Sequence, residues 1–452
     1  MILKSINPFT NKTIKEFEEY SDEKVKNLLL HSAGSFQEWK KTSFDHRSSL
    51  MLKAAGLLRY NIDEYSQSIT SEMGKPIKES RAEVEKCAWV CEYYAKNSEQ
   101  WLAAETVETD AYKSFVSYEP LGTILGIMPW NFPFWQVFRF CVPTLMAGNT
   151  VLLKHASNVQ ICAKHIENIF KSSGFPPPVF MNLVIGSDRM ENVIRHESIK
   201  AVSLTGSEAA GQKVASTAGT EIKKILLELG GSNAFVVLED AEIIKAVQIG
   251  IKARFQNAGQ SCIAAKRFIV HESMSEKFIS LFLEEMKKLK TGDPSKEDTD
   301  MGPMASIRQA EKVEEQVKRS VAMGAVVISG GKRDKAFFQP TLLTNVSPGM
   351  PLFDEEVFGP VAPVTVVENT QEAIALANAT NFGLGVSLFT SDLKKAGEIV
   401  HAFEDGAVFI NAMVKSDPRL PFGGTKRSGY GRELAIQGIR EFVNVKTVYI
   451  NQ

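Results

Sequence analysis

From about residue 115 onward, short apolar runs alternate with helical segments, and no other feature constrains the fold as strongly. SFVSYEPLGTILGIMPW alternates and then turns continuously apolar. NTVLLKHA reads as a buried strand and Asn158 to Ser173 as a helix. FMNLVIG, AVSLTGS, KKILLELGG and NAFVVL read as further strands, with helices over DRMENVIRH and from Glu208 to Ala218 between them. A second alternation follows: AAKRFIVH, a helix from Met274 to Leu289, AVVISG, FFQPTLLTNV, APVTVVE and a helix from Thr370 to Asn378. Apolar runs without a polar face belong to strands covered on both sides, and crossover helices make such strands parallel. The expected class is therefore α/β, with two such domains in series.

The first hundred residues read as helical after a short extended start. Asp22 is the expected cap of the first helix, and further helices run through Arg47 to Tyr60 and Arg81 to Leu102. Cys87 and Cys91 lie four apart, hence on one packed helix face. The tail NVKTVYIN is a strand that must pair, within the chain or across a subunit boundary.

Composition removes several functions. Lys plus Arg is 52 and Asp plus Glu is 53 in 452 residues, a net charge of −1. That balance lacks the basic footprint of a nucleic-acid binder or of a protein held on anionic lipid. The five cysteines are odd in number and show no C-x₂-C spacing, so reduced thiols and no metal site are expected. The start MILKSINPFTNKTIKEFEEY has no apolar signal region, which points to a cytoplasmic protein. Ile124 to Gly148 is apolar, but Asn131, Gln136, Arg139 and three prolines exclude a continuous membrane helix there.

Four segments carry candidate chemistry. Cys262 stands in FQNAGQSCIAAKRF, a polar loop between a helix and a strand. Such a loop suits a nucleophilic thiol with backbone N–H donors around it, and equally a small buried residue. Glu228 in ILLELGGSNAFVVL is a lone carboxylate in an apolar run. It is either salt-bridged at a strand end or a general base with a raised pKa. Asn131 in PWNFPFW has a side-chain amide able to steady an oxyanion or simply to satisfy a stiff turn. Gly206 and Gly211 in LTGSEAAGQKV lie between a strand and a helix, a place where backbone N–H groups face anions. Their G-x₄-G spacing is not the usual dinucleotide fingerprint.

Together PWNFPFW, NTVLLKHAS, LTGSEAAG, LLELGGSN, QNAGQSC, EEVFGPV and PFGGTKRSGYGRE, in this order, resemble the aldehyde dehydrogenases. The resemblance runs from about residue 118 to the C-terminus, and the KHAS, QVFRF and SDPRLPFGG segments look most like the bacterial succinate-semialdehyde enzymes. It implies two Rossmann-like α/β domains plus a small β oligomerisation arm. Residues 1–100 and 120–228 would bind the cofactor, 229–430 would form the catalytic domain, and 101–119 with 431–452 the arm. Cys262 matches the family's nucleophile, Glu228 its general base, and Asn131 the donor that joins the Cys262 N–H in the oxyanion hole. Trp130, Lys154, Ser157, Gly206, Ser207, Glu356 and Phe358 match cofactor-binding positions. Lys154 would meet the adenosine ribose, Gly206 and Ser207 the pyrophosphate, Glu356 the nicotinamide ribose, and Phe358 the ring.

The same resemblance implies NAD(P)-dependent oxidation of an aldehyde through a cysteine thiohemiacetal and thioester. Succinate semialdehyde is the expected substrate, with no nucleic acid or membrane partner and a homodimer or homotetramer as the assembly. Arg139, Trp135 and Ser261 are the expected substrate contacts, with Arg139 taking the carboxylate and Asp417 or Arg419 near the same pocket. Gln256 stands where some semialdehyde enzymes have a second arginine. NADP is favoured over NAD because Ser157 is neutral where NAD-preferring relatives often have glutamate; capping of the next helix is its alternative role. The alternatives are another short aldehyde such as glutarate semialdehyde or lactaldehyde, transfer of the thioester to coenzyme A, or a cysteine hydrolase, which would need a histidine beside the thiol.

Overall fold

The computed structural model describes residues 2–452, and the apolar runs assemble into two largely parallel sheets. In the first sheet the central strand Thr123–Met128 pairs in parallel with Thr150–His155 on one side and Ile199–Thr205 on the other. Phe180–Asn182 extends it beyond the former and Lys224–Glu228 beyond the latter. Successive crossovers thus leave the central strand in opposite directions. That reversal opens a crevice at the carboxyl ends of Thr123–Met128 and Ile199–Thr205, the usual ligand position in doubly wound sheets. The sixth strand, Gly429–Tyr430, comes from far along the chain and runs antiparallel to Lys224–Glu228, with Gly429 opposite Glu228.

The second sheet has seven strands. From edge to edge they are Val326–Ser329, Thr341–Thr344, Val361–Val367, Arg267–His271, Ala234–Val237, Val386–Phe389 and Val408–Ile410. Only the first pair is antiparallel. Both sheets are buried on their two faces. One face of the first sheet receives the helices Phe44–Tyr60, Ile77–Trp101 and Trp135–Met146. A third sheet is antiparallel throughout and runs Val443–Ile450, Lys113–Pro120, Glu105–Thr106. The tail strand therefore pairs along its eight residues with this chain's own Lys113–Pro120.

The α/β class and the order of strands agree with the sequence reading, and several boundaries differ. The first helix is capped by the Ser21 hydroxyl, which accepts from the Lys24 N–H, and Asp22 is its first residue. SFVSYEPLGTILGIMPW is two strands in two sheets, divided at Leu121 and Gly122. FFQPTLLTNV likewise splits into Phe337–Phe338 and Thr341–Thr344. The apolar stretch from Ile124 to Gly148 divides into a strand and the helix Trp135–Met146. The extended start is a hairpin of Ile2–Asn7 with Lys12–Glu18. The helices Ile62–Met73 and Ile307–Ala322 carry no counterpart in the sequence reading. Among the described residues, no helix is long and apolar enough to cross a membrane.

Candidate active site

The carboxyl ends of the first sheet deliver the motif residues to one region. Trp130 and Asn131 follow Thr123–Met128, Lys154 and Ser157 flank the end of Thr150–His155, Gly206 and Ser207 follow Ile199–Thr205, and Glu228 ends its own strand. Cys262 arrives from the second sheet's side, on the loop between the helix Ile243–Phe255 and the strand Arg267–His271. It opens on a cavity of about 260 Å³ whose wall includes Trp135, Arg139, Gln256, Ser261 and Ser416.

The thiol loop is strained and strapped down. Asn257, Ala258 and Gly259 all have φ between 51° and 71°, which costs roughly 1–2 kcal/mol for each residue with a Cβ. Its backbone is therefore held from several sides. The Asn257 amide donates to the Asn131 carbonyl at 2.8 Å, and the Asn257 N–H donates to Glu79 at 2.9 Å. Arg254, fully buried, donates to the carbonyls of Gly259 at 2.9 Å, Gly359 at 2.5 Å and Ala265 at 2.9 Å. The Gln260 side chain accepts from the Ala305 N–H at 2.9 Å. Asn131 donates from Nδ2 to the Gln260 carbonyl at 3.1 Å, which uses one of its two N–H bonds.

Lys266 joins the loop to the E-L-G-G segment, and sequence reasoning missed it. Its buried ammonium donates to the carbonyls of Gly231 at 2.6 Å and Cys262 at 2.8 Å, and to the Glu356 carboxylate at 2.8 Å. The only signal was a lysine at the start of an apolar strand. The two glycines of E-L-G-G make this junction possible. A Cβ on Gly230 would stand 2.4 Å from the Glu356 carboxylate, and one on Gly231 2.8 Å from the Cys262 carbonyl. Glu356 thus accepts from Lys266 and from the Gly231 N–H at 3.1 Å. Phe358 packs edge-on against Trp130 with centroids 5.8 Å apart.

Glu228 is 1 % exposed, and neither carboxylate oxygen has a hydrogen-bond partner in the chain. Burial pushes its pKa above the ordinary carboxylate range, while Arg139 opposes the shift. Its carboxylate packs where a Cβ on Gly423 would stand 2.9 Å away, so PFGG leaves the space that Glu228 fills. Burial also pushes the Cys262 thiol up, to about 11, against the pull of Arg139 and Lys266.

Arg139 departs from the expected free guanidinium. It lies on the cavity wall, but its Nε is ion-paired with buried Glu433, Nη2 donates to Thr205 at 3.3 Å, and Nη2 stands 3.9 Å from Glu228. Two buried carboxyl groups already flank it. Asp417 is likewise bound, accepting from Arg419 at 2.8 Å and lying 3.8 Å from Lys415. Trp135 and Ser261 do line the cavity.

Gly211 is a second departure. It lies inside the helix Glu208–Thr220, where a Cβ would meet the Leu229 side chain at 2.7 Å. It serves close packing of that helix on the sheet. Gly206 donates its N–H to the Glu228 carbonyl at 2.9 Å, and the Ser207 hydroxyl caps the helix by accepting from the Ala210 N–H. Ser157 does not cap the helix that follows it, which starts at Gln160. His155, the histidine nearest a motif, has both ring nitrogens engaged by the backbone: Nδ1 accepts from the Ala156 N–H at 3.0 Å and Nε2 donates to the Pro133 carbonyl at 2.8 Å. Burial lowers its pKa to about 4, so it offers the thiol neither contact nor charge.

The donor set along the crevice suits a dinucleotide. Lys154 is buried with no ion pair among the described residues, and burial lowers its pKa. Ser157 is half-buried three residues on, and the helix Glu208–Thr220 presents an exposed first turn at the carboxyl end of Ile199–Thr205. An unpaired buried ammonium, a neutral hydroxyl and a helix N-terminus together favour an anionic ligand.

The model described as the aldehyde dehydrogenase family matches residues 2–448. A probable succinate-semialdehyde dehydrogenase [NADP(+)] of Synechocystis sp. is 49% identical over 453 residues, covering 100% of both chains. A succinate-semialdehyde dehydrogenase [NADP(+)] of Mycobacterium tuberculosis is 45% identical over 456 residues, again covering 100% of each. The crystal structure of succinic semialdehyde dehydrogenase from Streptococcus pyogenes in complex with NADP+ superposes with a TM-score of 0.97 at 34% identity, covering 100% of both chains.

Proposed function

The chain belongs to the aldehyde dehydrogenase family, and we propose that it oxidises succinate semialdehyde to succinate with NADP as the preferred cofactor and NAD as a poorer one. The observation that carries the reading is a half-buried thiol on the wall of a small cavity, with the buried Glu228 carboxylate near enough to act on it and the Asn131 amide, one N–H to spare, bonded to the thiol loop. The named relatives act on this substrate with NADP, and the chain matches them over its whole length.

In this reading the Cys262 sulfur attacks the aldehyde carbon and forms a thiohemiacetal. The Asn131 amide and the Cys262 backbone N–H hold the oxyanion, a contribution of about 3–4 kcal/mol where single donors have been removed elsewhere. Bound NADP supplies the hydride acceptor, and Lys154, Ser157, Gly206, Ser207, Glu356, Phe358 and Trp130 are the residues that would hold it. Cys262 is left as a thioester. Glu228, ionised, takes a proton from water, and the hydroxide displaces the sulfur to give the carboxylate. Strapping the thiol loop fixes the sulfur relative to its oxyanion donors, so orientation is established before the aldehyde arrives. A hydrolase reading is disfavoured because both ring nitrogens of His155 are engaged by backbone groups.

Residues 1–100 and 120–228 form the cofactor half in this proposal, 229–430 the catalytic half, and 101–119 with 431–452 an arm that joins copies into a dimer or tetramer. The arm strand Val443–Ile450 exposes Val445, Tyr449 and Ile450, which supports association there. A cytoplasmic location accords with the thiols. The test is Cys262→Ala: aldehyde-dependent reduction of NADP should vanish while the melting curve keeps its midpoint. Residual turnover by the purified variant would refute the assignment.

A further inference from the structure

Two carboxylates on one helix reach the two segments that carry the candidate oxyanion donors. Glu79 and Glu83 stand four apart on Ile77–Trp101, hence on one face. Glu83 reaches the PWNFPFW turn. One of its oxygens accepts from the N–H groups of Phe134 at 2.8 Å and Trp135 at 3.0 Å. These open the helix Trp135–Met146, whose N-cap, Phe134, has no side-chain acceptor to offer them. The other oxygen is ion-paired with buried Lys75, whose ammonium stands 3.7 Å from the centre of the Phe132 ring. Glu79, one turn earlier, reaches the thiol loop instead and accepts from the Asn257 N–H at 2.9 Å.

The two segments are also bonded to each other. Asn257 donates from Nδ2 to the Asn131 carbonyl at 2.8 Å, and Asn131 donates from Nδ2 to the Gln260 carbonyl at 3.1 Å. Glu83, the turn of Asn131, Asn257 and Glu79 thus close a ring through one helix. That helix is moored at the same end. The Ile77 N–H donates to the Pro294 carbonyl at 2.8 Å, and Lys78 pairs with Asp300 and Arg81 with Glu297, each at 2.5 Å. Asn257 is the first of three successive residues with positive φ, so its N–H stands where the strained path to Cys262 begins. A charged acceptor on that N–H offsets part of the strain. Burial raises the Glu79 pKa to about 7, against Lys75, the Asn257 N–H, Lys78 and Lys252. Lys75 and Lys78 are committed to Glu83 and Asp300, Lys252 comes from Ile243–Phe255, and residues 256–261 of the thiol loop bring no charge.

We propose that Glu79 is a positioning residue of the oxyanion hole: from the helix on which Glu83 fixes the turn of Asn131, its carboxylate fixes the loop of the Cys262 N–H. This inference rests on the reading of Asn131 and the Cys262 N–H as the oxyanion donors. Two donors converge on one oxygen only if their separation is fixed, and a misplacement of about 1 Å can cost roughly 100-fold in rate. Glu79 acts through the backbone N–H that it holds, so it serves the reacting end of any aldehyde alike.

The experiment reads the first turnover by stopped-flow absorbance of the reduced cofactor. It compares succinate semialdehyde with butanal, the uncharged aldehyde of equal length, in wild type, Glu79→Ala, Glu79→Gln, Asn131→Ala and the double variant Glu79→Ala with Asn131→Ala. Glu79→Ala should slow the first turnover roughly 10- to 100-fold for both aldehydes and leave KM for aldehyde and NADP within about twofold. Glu79→Gln keeps an oxygen acceptor and should recover most of the loss. The ratio of wild type to Glu79→Gln cancels the titration of Glu228, which both share, and should rise as pH increases through about 7. In the Asn131→Ala background Glu79→Ala should cost much less, because one of the two donors is already gone. The positioning role is refuted if Glu79→Ala slows both backgrounds by the same factor, or if it affects only the carboxylated aldehyde. A flat ratio against pH refutes it as well, including where Glu79→Ala fails to fold. Should Asn131→Ala itself change the first turnover by less than about twofold, the oxyanion reading fails and the role of Glu79 with it.

Discussion

Replacing Arg139 by methionine separates its two possible roles. Its guanidinium is the cation nearest Glu228, at 3.9 Å, and both groups are shielded from water. At an effective dielectric of about 20, one unit charge at 3.9 Å contributes about 4 kcal/mol. At about 1.4 kcal/mol per pKa unit, the arginine holds the Glu228 pKa down by at most about 3 units. Measured arginine effects on neighbouring carboxylates span about 1–3 units, which is the expected upward shift. The sign is fixed. Burial already raises the Glu228 pKa, and the base works only when ionised, so losing Arg139 moves the rise of activity to higher pH. Cys262 loses the same cation, and its thiol shifts in the same direction.

The assay is kcat and kcat/KM against pH for succinate semialdehyde and butanal. In Arg139→Met the acidic limb of the kcat profile should move up by about 1–3 pH units for both substrates alike. Arg139→Lys should restore most of the wild-type profile. Glu433 also loses its partner, and a buried carboxylate left unpaired costs about 3–5 kcal/mol unless it takes up a proton. The melting midpoint should therefore fall less at pH 5 than at pH 8. The reasoning is refuted if the profile keeps its position and only the carboxylated substrate loses affinity, since Arg139 would then be a substrate ligand.

Three further outcomes follow from the site. Glu228→Gln should slow release of the acid more than thioester formation, giving a burst of reduced cofactor and a weak steady state in stopped-flow absorbance; loss of the burst itself would assign Glu228 to activating the thiol. Ser157→Glu should raise KM for NADP far more than for NAD, because only NADP brings the 2′-phosphate to Lys154 and Ser157; an equal effect would show that position 157 does not touch that phosphate. Lys266→Met leaves the carbonyls of Gly231 and Cys262 and the Glu356 carboxylate without their shared donor, so the chain should lose about 3 kcal/mol or more by denaturant unfolding, and a loss within error would make the junction unimportant.

The strands were legible because burial leaves a compositional mark. Thr123–Met128 and Thr150–His155 are almost wholly buried, so they read as unbroken apolar runs, whereas Lys113–Pro120 is half exposed and alternates. The two patterns abut in one segment, and the change of pattern marks the passage between sheets. Helices at either extreme were hidden. All twelve residues of Trp135–Met146 are buried, so it has no polar face and no visible period of 3.6. Ile62–Met73 buries Ser66, Ser68, Thr70 and Glu72, so its inner face looks like an outer one.

The site shows the same division between what a short segment carries and what only the fold brings together. The candidate residues stand at strand ends and in short loops of unusual composition, and the loop is itself the signal. Residues that act on one another leave no such mark. Arg139 looked like a lone charge within an apolar stretch, and Glu433, which neutralises it, comes from the strand-and-turn segment that adds Gly429–Tyr430 to the first sheet. An arginine eight residues after Asn131 is flanked by two carboxyl groups that no spacing along the chain places beside it.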